Sequence, residues 1–215
     1  LPSDPLILGF DTSAAHCAAA LLSGDTLLAQ AHQDMARGQA EALLPMLDWV
    51  LSQGGAAWGD LAALGVGVGP GNFTGIRISV ALARGLALGL GIPAIGVSLF
   101  DAKAHGLPRP LAVVEDARRG EVYVQEFMPQ PEPPLLVNTS DVHGFGAFPV
   151  TGSAAAAWAA GTGGNMLAEA YPLAEAIARV ALTRLGTAQA RPAPLYIRAA
   201  DAAPSSAPPV PFLPS

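Results

Sequence analysis

The stretch Gly65-Val-Gly-Val-Gly-Pro-Gly-Asn-Phe-Thr-Gly-Ile-Arg77 constrains this chain more than any other. It begins within the apolar run Leu61–Val68, which reads as a strand buried on both faces, and leads into helical periodicity over Ile76–Leu90. A glycine-rich strand-to-helix junction is the usual place for a phosphate loop. A Walker A loop, however, needs a lysine after its last glycine, and none follows any glycine here. A dinucleotide fingerprint fails too, because Gly67-Val-Gly69 is followed by Asn72 at the third glycine position. What remains is a structural hinge. Gly69, Gly71 and Gly75 allow a sharp turn and close approach of backbone, and Asn72 or Thr74 can cap the helix that opens there.

Around the hinge the pattern alternates between strands and helices. Leu6–Phe10, Cys17–Leu22 and Thr26–Ala31 read as a three-stranded meander, with Ser23-Gly24-Asp25 as its second turn. Leu43, Met46, Leu47, Val50 and Leu51 recur at helical spacing before the stop at Gly54-Gly55. Pro45 is expected in that helix's first turn, or as the cause of a bend. Ile92–Val97 is a further strand, and Ser98 can cap a helix through His105. Gly106–Pro110 reads as a joint. Beyond it, Leu111–Val114, Glu121–Phe127, Leu135–Val137 and Phe148–Val150 predict strands, with a helix through Ala160 and another from Pro172 to Leu185. The expected organisation is an N-terminal lobe over residues 1–105 and a smaller C-terminal lobe over 106–200. A Pro-rich, disordered tail is expected over 201–215.

Composition narrows the chemistry. The net charge is −6 and Lys103 is the one lysine among eleven scattered cations, so direct binding of nucleic acid is not expected. Cys17 is the single cysteine, which excludes an internal disulfide and fits a reducing compartment. Leu1–Pro5 carries no basic residue of a secretory leader, and no apolar run reaches the length of a membrane span, so a cytoplasmic location is expected. The histidines 16, 32, 105 and 143 show no metal-binding spacing, and there is no G-x-S-x-G element. Neither metal nor catalytic nucleophile is expected, nor any bound cofactor. The segment Asp116-Ala-Arg-Arg-Gly-Glu-Val-Tyr123 reads either as a solvated hairpin turn with Arg118 paired to Glu121, or as an ion cluster fixing one lobe to the other.

Five collinear elements resemble a known family. Leu8–Ser13, Glu41–Pro45, Gly69–Arg77, Asp116–Tyr123 and Pro194–Arg198 are similar, in order, to the motifs of the bacterial TsaB (YeaZ) proteins, with Gly-Pro-Gly-x-Phe-Thr-Gly-x-Arg the most specific. Two positions depart from the family pattern. Gly38-Gln39 stand where a histidine and serine are common, and Asn72 stands for a serine. The resemblance implies a two-lobed actin-like, sugar-kinase-like α/β fold, each lobe a mixed sheet flanked by helices.

It also implies a non-catalytic subunit of the machinery that places threonylcarbamoyl on the adenosine beside the anticodon of tRNAs reading ANN codons. In that machinery TsaD is the transferase and TsaE an ATPase, and tRNA is met through TsaD. The implied contact with TsaD, or with a second copy in a homodimer, lies on the helices at about Gln39–Gln53 and Phe73–Leu90. Leu43, Leu47, Ile76, Arg77, Val80 and Arg84 are the expected contact residues, on an interface of roughly 1,600 Å² in total. Small residues of the second helix, among them Ala81, Gly85 and Gly89, would let a partner helix come close. Asp11-Thr12-Ser13 resembles the first phosphate loop of sugar kinases and actin-like ATPases, with Ser13 where a glycine stands there. A small-molecule kinase or ATPase working through Asp11 and Thr151-Gly-Ser153 is therefore the alternative, and a glycoprotease a more distant one.

Overall fold

The computed structural model describes residues 4–198, so the expected tail at 201–215 lies outside the described residues. Two sheets organise the chain. The first has the order β3-β2-β1-β4-β5, built from β1 (Leu6–Asp11), β2 (His16–Ser23), β3 (Thr26–Asp34), β4 (Leu61–Gly67) and β5 (Ala94–Val97). The meander β1-β2-β3 is antiparallel, whereas β4 and β5 join β1 in parallel through the helical crossovers α1 (Gln39–Gln53) and α2 (Phe73–Leu90). The second sheet, of order β8-β7-β6-β9, contains β6 (Leu111–Arg118), β7 (Glu121–Phe127), β8 (Leu135–Asn138) and β9 (Val150–Thr151).

Alternation along β1 places its side chains on opposite faces of the sheet, and each face has its own helices. Leu8 and Phe10 join Leu43, Leu47, Val50, Ile76 and Val80 beneath α1 and α2. Ile7 instead faces α5 (Leu173–Thr183), which contributes Ala176, Ile177, Ala178, Val180 and Ala181. This helix comes from the part of the sequence assigned above to the C-terminal lobe, yet it completes the first lobe as its third layer. Its alanine-rich face lets it lie close to the strands; a Cβ at Gly9 would stand 2.5 Å from the Ala174 carbonyl oxygen. Hydrophobic spacing alone reports that a helix has an apolar face. It does not report which sheet that face will meet.

Two smaller differences have local causes. Pro45 sits in the second turn of α1, not the first, at an exposed position. Among the described residues α2 is the one helix long and apolar enough to match a membrane span, contrary to the expectation from the sequence. Its buried residues Ile76, Ser79, Val80 and Ala83 make a single stripe facing the sheet, while Arg77 and Arg84 are exposed, the arrangement of a helix lying on a core.

The lobes are joined by α3 (Leu99–Ala104), capped by Ser98 Oγ, and by the chain from Pro192 to Arg198. Phe100 and Ala104 of α3 pack with Leu111, Val113 and Phe127 of the second sheet, and Leu195 touches the cores of both lobes. Lys103 is half-buried between them, with Nζ at 2.8 Å from Glu115 and 2.9 Å from Glu169. Burial alone would lower the Lys103 pKa, but the two carboxylates outweigh it and the net displacement is upward. The second face of the β6-β7 pair is covered by Trp158 and Ala155 of α4 (Ala155–Thr162).

Lys103→Met should leave Glu115 buried without its cation and lower unfolding stability by about 3–5 kcal/mol, read from urea denaturation. A second expectation concerns His105, whose pKa is lowered by burial and by Arg179 and Arg109, with Asp25 opposing. An imidazole depressed on folding contributes its full stabilisation above its unfolded value of about 6.5 and loses it as pH falls through the lower folded value. Stability should therefore drop on acidification below about pH 6.5, and His105→Gln should flatten that part of the profile.

Candidate functional site: the hinge and the helix face it orients

At the end of β1 the chain turns through Asp11-Thr12-Ser13, all three buried. Asp11 Oδ1 accepts from Ser13 N–H at 2.8 Å and from Ser13 Oγ at 2.7 Å, and lies 2.9 Å from His16 Nε2. The glycine hinge closes over this turn. Ser13 O accepts from Asn72 N–H at 2.6 Å, and Thr12 Oγ1 donates to Gly75 O at 2.7 Å. A Cβ at Gly71 would lie 2.3 Å from Ser13 O, and one at Gly75 only 1.9 Å from Thr12 O. Both distances are far inside van der Waals contact, so at these two positions only glycine permits the approach. The hinge thus spends its backbone on the β1 turn.

The other hinge residues fit the same purpose. Gly69 adopts φ +95° and its carbonyl accepts from Leu99 N–H at 2.8 Å, tying the hinge to α3. Asn72 is the N-cap of α2, its Oδ1 accepting from Thr74 N–H at 3.0 Å and Gly75 N–H at 3.4 Å. Ser79, one turn further on, donates to Gly67 O at 3.3 Å and to Ile76 O at 3.1 Å. Asn72 therefore does the capping work of the serine expected from the family pattern. Gln39, the other departure, is buried, and its Nε2 donates to Met35 O at 3.2 Å, closing the entry to α1.

Oriented in this way, α2 presents its outer face to solvent. Of the six expected contact residues, Leu43, Leu47, Ile76 and Val80 are core residues with at most 3% exposure. Their helical spacing identifies an apolar stripe, and that stripe is occupied by the protein's own sheet. Arg77 and Arg84 stand on the outer face, as expected. The apolar groups available there are others: Phe73 and Leu88 on α2, Leu44 and Trp49 on α1, with Leu88 86% exposed. Ala81, Gly85 and Gly89 are exposed between them, and a Cβ at Gly85 or Gly89 would meet nothing within 4 Å.

Arg77 lies 3.6 Å over the Phe73 ring and donates from Nε to Tyr196 Oη at 2.9 Å, while Tyr196 stacks on Phe73 at 5.4 Å. Phe73 and Tyr196 escape a reading based on core periodicity. The four-residue spacing from Phe73 to Arg77, one face of a helix, is the signal that points to the first.

The charged segment Asp116–Tyr123 forms the exposed hairpin turn between β6 and β7, as one of its two readings expects, and is also tied to a distant part of the chain. Arg198 donates to Ala117 O at 3.1 Å and to the Glu121 carboxylate, so the Glu121 partner is Arg198 and not Arg118. Arg118 is held by its own N–H to Asp116 Oδ1 at 2.8 Å, with φ +63°. At the turn after β9, Ser153 N–H and Oγ donate to the Glu115 carboxylate at 3.3 and 2.8 Å. A carboxylate already occupies the position where that turn would offer donors to an anion. Among the described residues no three His, Cys, Asp or Glu side chains are grouped to hold a metal ion.

Two packed lobes of mixed sheet and helix, with the first strand ending in Asp-Thr-Ser, define an actin-like fold. It matches YeaZ from Pseudomonas aeruginosa at a TM-score of 0.72 and 25% identity, covering 89% of this chain and 99% of that one. The (R)-2-hydroxyglutaryl-CoA dehydratase component A of Acidaminococcus fermentans shares the fold at a TM-score of 0.54 and 12% identity, over 86% of this chain and 100% of that one. The family model of TsaD, tRNA N6-adenosine threonylcarbamoyltransferase, matches residues 30–130. The tRNA threonylcarbamoyladenosine biosynthesis protein TsaB of Escherichia coli is 41% identical over 128 residues, 56% of this chain and 54% of that protein. The Haemophilus influenzae protein of the same name is 35% identical over 130 residues, 57% and 53% of the two chains. The chain is similar to the TsaB (YeaZ) proteins, and it spans about half the length of those curated relatives.

The hinge makes a measurable distinction. Asn72→Ala should cost about 1 kcal/mol, the usual value of an N-cap. Gly75→Ala should cost several times more, about 4 kcal/mol or more, because the backbone of Thr12 cannot give way. Comparable losses in the two variants, measured by thermal unfolding, would remove the close-approach role assigned to Gly75.

Proposed function

We propose that this chain is a non-catalytic, cytoplasmic scaffold subunit that binds TsaD and activates it for threonylcarbamoyl transfer to the adenosine next to the anticodon of tRNAs reading ANN codons. TsaE, an ATPase, joins the larger assembly, tRNA is met through TsaD, and the chain pairs with itself when alone. The observation that carries this reading is the outer face of α2. It combines exposed Phe73 and Leu88 with the open positions Ala81, Gly85 and Gly89 on a helix whose other face is fixed to the core. An apolar, small-residue helix face left to solvent suits close packing against a partner helix. Arg77 and Arg84 stand exposed on α2, and α1 carries exposed Leu44 and Trp49.

The same geometry speaks against the kinase or ATPase alternative. Asp11 is taken up by Ser13 and His16, the hinge closes on Thr12 and Ser13, and the turn at Ser153 is taken up by Glu115. Opening either turn for a nucleotide phosphate requires breaking hydrogen bonds, buried at the β1 turn and part-buried at Ser153, each worth about 1 kcal/mol. A glycoprotease reading finds no grouped metal ligands among the described residues.

The decisive variant is Gly85→Glu. The side chain enters open space and replaces a mid-helix glycine, so thermal stability should stay level or rise by up to about 1 kcal/mol. Co-elution of the purified chain with TsaD at micromolar concentration should be lost. A destabilised variant would contradict the open geometry at Gly85, and undiminished co-elution would rule out this face as the docking surface. Core substitutions at Leu47 or Val80 do not serve as tests, since they unfold the helix layer itself.

A further inference from the structure

Beyond the hinge, the C-terminal end of α2 and the outer edge of β5 form one wall of an open groove of about 910 Å³, and the chain from Arg184 to Pro192 forms the other. The charged residues lining it are Arg84, Arg184 and Arg191, with no acidic residue among the lining groups. Three of the chain's eleven cations thus meet at one groove in a protein of net charge −6. Arg184 is partly neutralised, donating to Gly96 O at 3.0 Å and to Asp101 Oδ2 at 2.8 Å. Among the described residues Arg84 and Arg191 have neither hydrogen bond nor ion pair. The apolar lining includes Leu88, 86% exposed, with Ile92 and Pro93. The carbonyl of Ala87 at the helix end accepts from Gly91 N–H and from Ile92 N–H at 3.2 Å.

We infer that this groove is a docking site for an acidic amphipathic segment of a partner protein, with its leucine-type side chains on Leu88, Ile92 and Pro93 and its carboxylates on Arg84 and Arg191. Cations rimming an apolar floor match such a segment in both charge and surface. Single-stranded RNA fits less well. The lining contains no aromatic ring on which a base could stack, and stacking platforms carry much of single-strand binding. The inference goes beyond the scaffold reading and does not require TsaD to be the source of the segment.

The test uses the full chain and a fluorescein-labelled helical peptide of about 14 residues, leucine at i, i+3, i+4 and i+7 and glutamate elsewhere. Binding is measured by anisotropy beside the same peptide with lysine for glutamate and a single-stranded RNA of about 10 nucleotides. The acidic peptide should bind, with affinity falling about tenfold in the double variant Arg84→Glu, Arg191→Glu and also in Leu88→Ser. All three positions are exposed, and unchanged thermal unfolding confirms that the variants are folded. Equal binding of the lysine peptide, preference for the RNA, or indifference to the double variant would each overturn the proposal. TsaD co-elution measured on the unsubstituted chain separates the two readings: its failure with peptide binding intact removes the scaffold role alone, and the reverse removes only the groove.

Discussion

The contact between the hinge and the β1 turn is backbone against backbone, and the orientation of α2 depends on it. Thr12 and Gly75 are 63 positions apart, yet the Thr12 hydroxyl donates to the Gly75 carbonyl and a methyl group at Gly75 would collide with the Thr12 oxygen. The approach places the first turn of α2 directly over the end of β1. From there Ile76 and Val80 reach the core beside Phe10, and Ser79 binds back to the end of β4. Because the inner stripe is fixed in this way, the outer stripe has a definite direction. A helix held only by its apolar side chains could roll by a few tens of degrees; one pinned through its N-cap and two backbone contacts is held much more firmly.

The same economy explains why a loop with the composition of a phosphate site is a poor one here. Phosphate loops work by leaving backbone N–H groups free and pointing at empty space. In this hinge, Asn72 N–H donates to Ser13 O, and the N–H groups of Thr74 and Gly75 are taken by the Asn72 side chain. In the second lobe Glu115 does the equivalent work at Ser153 and is itself held by Lys103, which links that turn back to α3. Both places where an actin-like fold could receive an anion are filled by the protein's own groups.

Much of this was legible in the residues. The meander, the crossovers, the Asn72 and Ser98 caps and the limits of α1 and α2 follow from local spacing and turn chemistry, which depend on near neighbours in sequence. The hinge was legible as well, because the absence of a lysine is as informative as the presence of glycines. Two misreadings share one cause. Leu43, Leu47, Ile76 and Val80 were expected at a partner surface and lie in the core, and α5 was expected with the second lobe and lies on the first. Apolar periodicity records that a face will be buried, without recording what buries it.

By itself, then, the sequence determined the elements, their order, the caps that start two helices and the missing Walker A lysine, since each rests on residue type and short-range spacing. Tertiary structure decided which apolar face met which sheet, where Arg198 found Glu121, and which residues of α2 were left facing solvent. Those outcomes depend on groups tens of positions apart being brought within a few ångströms. Only the packing of whole layers against one another settles that.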